Sequence, residues 1–254
     1  MNKFKVTWFI LLCISLVAIN VSKANDQSCV DMWNEFGIPL FHNYTAKKYG
    51  GHFQNWCILK DNRGIILVAN NDGLLTYHRV SWRRFDLGGK QYHSLRSIAQ
   101  DSSGTIYSGI GNHFGYLSYN EQGNFKFNSV LDKVGEKYRN FNDVWYTFVI
   151  DNAVYFLTHD FLFCWKNKQL SVTETSNPDN IFHTAFVVNN TLYVRQSKLG
   201  LMKMNGEILD IIPGGEIFAD KPVYFMETFD DKSILIGTAR DGFYLFHYSF
   251  YPCI

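Results

Sequence analysis

The stretch Asn55 to Trp82, NWCILKDNRGIILVANNDGLLTYHRVSW, carries the pattern from which the fold is read. An apolar run ends in the polar turn Asp61-Asn62-Arg63-Gly64. A second run follows, then a short loop at Asn70 to Asp72, then a third run that opens at Gly73. An Asp at the head of such a turn offers an acceptor to the backbone. A Gly at its end tolerates the positive φ that closes a hairpin. Short apolar runs bounded by turn residues read as strands.

Four further segments follow the same order: Leu95 to Phe125, Val144 to Leu170, Ile181 to Leu209 and Val223 to Phe250. Their turns align at Gly64, Gly104, Asn152, Asn190 and Lys232, at intervals of 40, 48, 38 and 42 residues. The third runs begin at Gly73, Gly115, Phe161, Gly200 and Gly242, and Ser81–Phe85 and Phe125–Ser129 offer a fourth, outer strand. A period of about 42 residues with three or four short strands per unit is that of a propeller blade. The expectation is an all-β propeller of about five four-stranded or three-stranded blades, near residues 55–85, 95–129, 144–172, 181–212 and 223–250. The blades either close as five or form an incomplete seven-bladed ring. Residues 25–54 are a lead-in whose part Phe36–Tyr49 is expected to pair at an edge. Composition agrees, with 17% aromatic residues and only 5 prolines in 254 residues. Asp61, Asp101, Asp151 and Asp231 fall in the hairpin turns and are read as turn acceptors rather than as converging catalytic carboxylates.

The first repeat, NWCILKDNRGIILVANNDGLLTYHRVSW, resembles the two component regulator propeller repeats of periplasmic sensor proteins, notably those of Bacteroidetes. The lead-in Gly37-Ile38-Pro39 with Asn43-Tyr44 and Tyr49 is similar to how such sensors begin. The resemblance runs over roughly Phe36 to Tyr248. It implies an extracytoplasmic ligand-sensing module, in a family whose propeller is usually seven-bladed and precedes a β-sandwich, a membrane helix and a cytoplasmic output domain. No output domain is present in these 254 residues. A shortened sensor and a stand-alone five-unit binding protein both fit.

The N-terminus places the chain outside the cytoplasm. Lys3 and Lys5 precede an apolar stretch from Val6 to Ile19, and Ser22-Lys23-Ala24 ends in small residues. That is the order of a cleavable signal peptide over residues 1–24, cut after Ala24, and the apolar run is short for a spanning helix. The expected location is periplasmic or secreted, with no membrane span in the mature chain. A net charge of +1 leaves no basic stripe for nucleic acid. The spacings of Cys29, Cys57, Cys164 and Cys253 match no metal or redox pattern. Cys57 and Cys164 read as small buried hydrophobes, and a Cys29–Cys253 bridge is an open alternative.

No motif of catalysis stands out. The eight histidines form no HxxxH or HxH pair, and the cluster Gly109-Ile110-Gly111 with Gly115 has no helix to follow it as a dinucleotide site needs. Neither catalytic nor metal-ligating residues are assigned, and no cofactor is expected. In a propeller the loops entering the innermost strands, and those between second and third strands, gather on one face. They carry the candidate ligand-binding residues Asn55, Trp56, Asn71, His93, Tyr138, Arg139, His159 and Arg240, with His183 beside them. Aromatic faces next to planar polar groups suit a glycan or another small polar ligand. The alternatives are a secreted propeller glycoside hydrolase and a protein-binding scaffold. The last strand, from Gly242 to Phe250, is rich in aromatics and lacks a protective Lys or Pro, so self-association through an open edge is a further expectation.

Overall fold

The computed structural model describes residues 41–87, 94–175, 177 and 179–247. The chain divides into two compact units, Met1–Tyr44 and Thr45–Ile254. In the described part of the first, the rings of His42 and Tyr44 lie 4.5 Å apart. The expected signal peptide, the residues Cys29 and Cys253 of the open disulfide alternative, and the candidate His93 fall outside the described residues.

The second unit is built from five antiparallel sheets, each a simple meander. Blade 1 comprises β1 (Asn55–Lys60), β2 (Ile66–Asn70), β3 (Gly73–His78) and β4 (Ser81–Phe85). Blade 2 comprises β5 (Leu95–Gln100), β6 (Ile106–Ile110), β7 (His113–Tyr119) and β8 (Phe125–Ser129). Blade 3 comprises β9 (Tyr146–Ile150), β10 (Ala153–Leu157), β11 (Phe161–Lys166) and β12 (Gln169–Glu174). Blade 4 comprises β13 (Phe182–Val188), β14 (Thr191–Gln196), β15 (Gly200–Asn205) and β16 (Ile208–Ile211). Blade 5 has three strands among the described residues, β17 (Val223–Asp230), β18 (Ser233–Thr238) and β19 (Phe243–His247). The first strands of successive blades neighbour one another, so they form the inside of the array. The strand limits follow the sequence repeats closely. One difference is β7, which starts at His113 rather than Gly115, because His113 already pairs with Ile110.

Four apolar clusters weld the blades in sequence. Leu67, Leu74, Leu95 and Ile106 join blades 1 and 2. Phe114, Val144, Phe156 and Phe163 join blades 2 and 3, Leu157, Leu162, Phe182 and Val194 join 3 and 4, and Tyr193, Leu201, Ile234 and Ile236 join 4 and 5. Burying such a side chain stabilises by about 1.5–3 kcal/mol, so each seam outweighs any single polar contact. No fifth cluster joins blade 5 to blade 1 among the described residues, and no closed ring is seen there.

The turns carry the expected chemistry in part. Asp61 Oδ1 accepts from the backbone N–H of Arg63 at 2.9 Å and of Ile65 at 2.8 Å. Asp101 Oδ1 accepts from the N–H of Thr105 at 2.8 Å and the hydroxyl of Ser103 at 2.6 Å. Asp151 does not hold its turn in this way. It and Asn152 have φ of 48° and 62°, a two-residue hairpin of the primed type, which needs no side-chain acceptor. Its carboxylate instead takes the Asn190 amide of the next blade at 2.8 Å. In blade 5 the acceptor is Asp230, one residue earlier than Asp231, because Asp230 pairs with Ser233 and leaves Asp231 and Lys232 at the tip. Cys57 and Cys164 are unpaired and half-buried rather than fully buried, and burial pushes both thiols up.

The lead-in corrects an expectation. Residues 46–49 form a helical turn, α1 (Ala46–Tyr49), closed by Gly50 in the left-handed region at φ 70°. Ala-Lys-Lys-Tyr lacks strand alternation, and Tyr49 packs its ring 5.7 Å from Trp82 on blade 1. Asn70, fully buried at 0% exposure, holds the segment that follows. Its amide donates to His52 O at 2.6 Å, Gln54 O at 3.0 Å and Asn55 Oδ1 at 2.7 Å, while its Oδ1 accepts from the N–H of His52 and of Asp72. Gly51 sits close beside it, since a Cβ there would lie 3.0 Å from both Asn70 Oδ1 and Leu75 Cδ2, and those side chains would have to give way.

Two outcomes follow. Asn70→Leu removes the buried amide that bonds His52, Gln54, Asn55 and Asp72, and is expected to cost about 2–4 kcal/mol in urea denaturation. Burial alone would raise the Asp61 carboxyl, but bonds from Arg63 and Ile65 outweigh it and hold the pKa below the usual value. A lowered folded-state pKa contributes stability that is present above the unfolded pKa and lost as pH falls through the folded one. Asp61→Asn should therefore lower stability at pH 7 and flatten its decline between about pH 5 and 2, as read by denaturation at each pH.

Candidate functional site

The site begins with a repeated irregularity in the inner strands. The pairing register shifts between Asn55 and Cys57, Leu95 and Ser97, Phe182 and Thr184, and Val223 and Phe225. Each shift leaves one extra residue, Trp56, Arg96, His183 or Tyr224, outside the ladder, and such a bulge re-aims its side chain. In blade 3 the corresponding residue is Trp145, just ahead of β9, with its N–H on Leu157 O at 2.9 Å. Five blades thus contribute one side chain each at the same end of the inner strands.

These side chains meet across the blades. The Arg96 guanidinium lies 4.2 Å from the Trp56 ring centroid and 5.3 Å from that of Trp145. The two indoles stand edge to face at 5.9 Å, and Trp145 stacks on His159 at 5.7 Å. On the far side His183 meets Tyr224 at 5.4 Å. Arg96 is fixed by Asp143 at 3.1 Å and by Asn71 Oδ1 at 3.3 Å, and Asn71 Oδ1 also accepts from the Ser94 hydroxyl. A cation between two indoles is worth roughly 0.5–2 kcal/mol per ring, the upper value where water is excluded.

The fold pre-positions this cluster with small hydroxyls. Ser97 Oγ donates to Val144 O at 3.0 Å, directly before Trp145, and Thr184 Oγ1 donates to Val223 O at 2.9 Å, directly before Tyr224. Behind His183, the buried Arg195 donates to the carbonyls of Phe218 and Ala219. Burial, then the charges of Arg195 and His159, push the His183 pKa down, so its imidazole is neutral at pH 7. Arg96 Nε, Trp145 Nε1 and His183 Nδ1 are buried atoms with no protein partner.

Of the residues expected from sequence, Trp56, Asn71 and His159 belong to this cluster. Asn55 stands beside it, bonded to Asn70 and, at 3.3 Å, to Tyr49. Tyr138 and Arg139 lie apart from it in the connection between blades 2 and 3. Tyr138 packs edge-on against Phe161 at 5.5 Å, and Arg139 donates to the carbonyls of Val134 and Asp132. Arg240 is exposed in the β18–β19 turn and takes no part in the cluster. Arg96, Trp145 and Tyr224 escaped sequence reasoning. A signal was present, since each is the second residue of its aligned repeat segment, as Trp56 is. No group of three or more His, Cys, Asp or Glu among the described residues is placed to hold a metal. Clefts of about 300 to 760 Å³ open elsewhere, between the outer strands of neighbouring blades.

No protein-family model matches the sequence, and no curated protein matches it either. Solved structures do resemble it. The extracellular domain of the hybrid two component system BT3049 from B. thetaiotaomicron superposes with a TM-score of 0.56 at 14% identity, over 78% of this chain and 27% of that one. The corresponding domain of BT4673 gives 0.54 at 21% identity, over 76% and 26%. Virginiamycin B lyase from Staphylococcus aureus gives 0.55 at 12% identity, over 74% and 64%. The chain spans about a quarter of the length of the two-component domains it resembles. At these identities the likeness is one of fold, and the fold is that of a β-propeller, shared with the extracellular domains of bacterial hybrid two-component systems.

Proposed function

We propose that this chain is an extracytoplasmic ligand-sensing propeller module of a two-component-type signalling protein, and that it recognises a glycan fragment or other small polar ligand without chemical turnover. The observation that carries the reading is the convergence of Trp56, Arg96, Trp145 and His159 from three blades. Trp56 remains 40% exposed, so one indole face rests on Arg96 while surface is left for a flat apolar ring face. Arg96 Nε, Trp145 Nε1 and His183 Nδ1 add polar atoms at the same end of the blades. The likeness to extracellular domains of two-component systems and the signal-like N-terminus support an exported location. Among the described residues no helix is long and apolar enough to cross a membrane.

Recognition fits this end of the blades better than hydrolysis. Glycoside cleavage needs two carboxyl groups facing the substrate, one of them held protonated. Here Asp143 is held by Arg96 at 3.1 Å, Asp72 faces Arg84 at 3.7 Å, and Asp241 is held by Lys221 at 3.1 Å. Each of these carboxylates is engaged by a cation rather than paired with a second carboxylate across an open site.

A panel of neutral and acidic oligosaccharides, screened by thermal shift and followed by calorimetry, tests this. A ligand at about 100 times its Kd should stabilise the protein by about 2.7 kcal/mol. Trp56→Ala should weaken binding at least tenfold and Arg240→Ala should leave it unchanged. Unaltered binding by Trp56→Ala would remove the ligand from this cluster, and release of reducing ends from any polysaccharide would make the protein an enzyme.

A further inference from the structure

Between the outer strands of blades 1 and 2 lies a cleft of about 300 Å³, separate from the Trp56 cluster. Trp56 stands at the start of β1, whereas Arg63, which lines the cleft, belongs to the turn beyond the other end of that strand at Lys60. Strand register builds the walls. Thr76 pairs with Arg83 and His78 with Ser81, and residues two apart on a strand share a face. These four side chains, with Phe85, line the side of the cleft that blade 1 provides. Blade 2 supplies the pair Tyr119 and Phe125. The Phe125 ring meets Phe85 edge-on at 5.2 Å and lies 4.8 Å from Tyr119, which backs the cleft with aromatic surface. Tyr119 itself stays 53% exposed.

Charge sets this cleft apart from the two others between outer strands. In the cleft between blades 3 and 4, Lys166 shares the lining with Glu207. In the one between blades 2 and 3, Asp132 lies 3.2 Å from Lys133. The cleft between blades 1 and 2 is lined by Arg63, His78 and Arg83 and, among the described residues, by no carboxylate. Arg63 is already held, since its Nε and Nη2 donate to Asp61 Oδ2 at 2.9 and 2.7 Å. Its guanidinium stands 5.9 Å from the Tyr119 ring centroid. Arg83 and His78 are exposed, and their side chains have no polar partner among the described residues. Arg83 is therefore the cation in this cleft whose charge nothing there offsets.

We propose that the cleft is a second ligand site, which takes a small ring compound bearing an oxyanion such as a phosphate ester, a sulfate ester or a carboxylate. The anion lies on Arg83, whose planar fork presents two parallel donors to such a group. Ser81 and His78, paired across β3 and β4, add single donors beside it. The ring lies against the exposed Tyr119, where offset stacking is available. A volume of about 300 Å³ is at the lower end for ligand sites, which suits one ring rather than a chain of them. The site is independent of the ligand proposed for the Trp56 cluster, because the two share no residue.

Calorimetry on the purified full chain at low ionic strength, where exposed charges are least screened, tests this. Phenyl phosphate, phenyl sulfate and benzoate are the probes, and their ranking identifies the preferred head group. Inorganic phosphate should bind at least tenfold more weakly than phenyl phosphate, and phenol should not bind. Arg83→Gln should raise the Kd of the aromatic anions at least tenfold. Lys126→Gln removes one positive charge from the opposite face of blade 2 and should leave that Kd unchanged. Tyr119→Ser should bring phenyl phosphate down to the affinity of inorganic phosphate. Arg83 is exposed and unpartnered, so its variant stays folded and decides the matter even if loss of Tyr119 loosens the seam. Failure of all three aromatic anions to bind, or binding that Arg83→Gln leaves intact, would overturn the proposal. Equal affinity for inorganic and phenyl phosphate would overturn it too, since the cleft would then hold a bare anion.

Discussion

A blade is a thin sheet with two apolar faces, and it gains most of its stability by packing them against its neighbours. That constraint governs this molecule more than any single bond. Each of the four seams takes its large side chains from both neighbours, as when Phe114 of blade 2 packs its ring 4.7 and 4.6 Å from Phe156 and Phe163 of blade 3. The order of the blades in space follows their order in sequence because the connections are short and each new face finds the preceding one first. At the ends of the array the same rule produces two different outcomes. Blade 1 takes the ring of Tyr49 from the helical turn against Trp82, while among the described residues Phe225, Phe243 and Leu245 of blade 5 remain exposed.

The candidate site is a consequence of the seams rather than an addition to them. Once the faces are packed, the inner strands stand side by side, and a one-residue bulge at the same place in each aims a side chain toward its neighbours. The hydroxyls of Ser97 and Thr184 then lock the carbonyl that precedes the aimed residue of the next blade. Such bonds contribute about 1 kcal/mol each, little beside the apolar seams. Their effect is on position. They hold the Trp145 and Tyr224 backbones in register with the blade before.

Electrostatics at this end follows the same division of labour. Arg96 is matched by Asp143 and sandwiched by indoles, so its role is to brace two aromatic walls at a set angle as well as to offer donors. Arg195 is satisfied by backbone carbonyls, and its charge helps to keep His183 neutral. The result is a surface of flat rings with a few oriented polar atoms, rigid because each ring is backed by a neighbouring blade.

Much of this was legible in the repeat itself. The strand limits, the Asp61 and Asp101 turns, and the all-β class follow from alternation and turn chemistry, which act over a few residues and need no distant partner. The column Trp56, Arg96, Trp145 and Tyr224 stood in the aligned segments too. Nothing local distinguishes a residue aimed at the next blade from one aimed at solvent. That Trp56, Arg96, Trp145 and His159 touch, whereas Tyr138, Arg139 and Arg240 stand apart, depends on register shifts and on how far one blade is rotated from the next. The helical lead-in was missed for a similar reason, since Ala46–Tyr49 owes its place to Trp82 on the face of blade 1. Sequence by itself determined the strands, their turns and the repeat. Only the tertiary structure decided which side chains converge, because that is set by packing between segments about 40 or more residues apart.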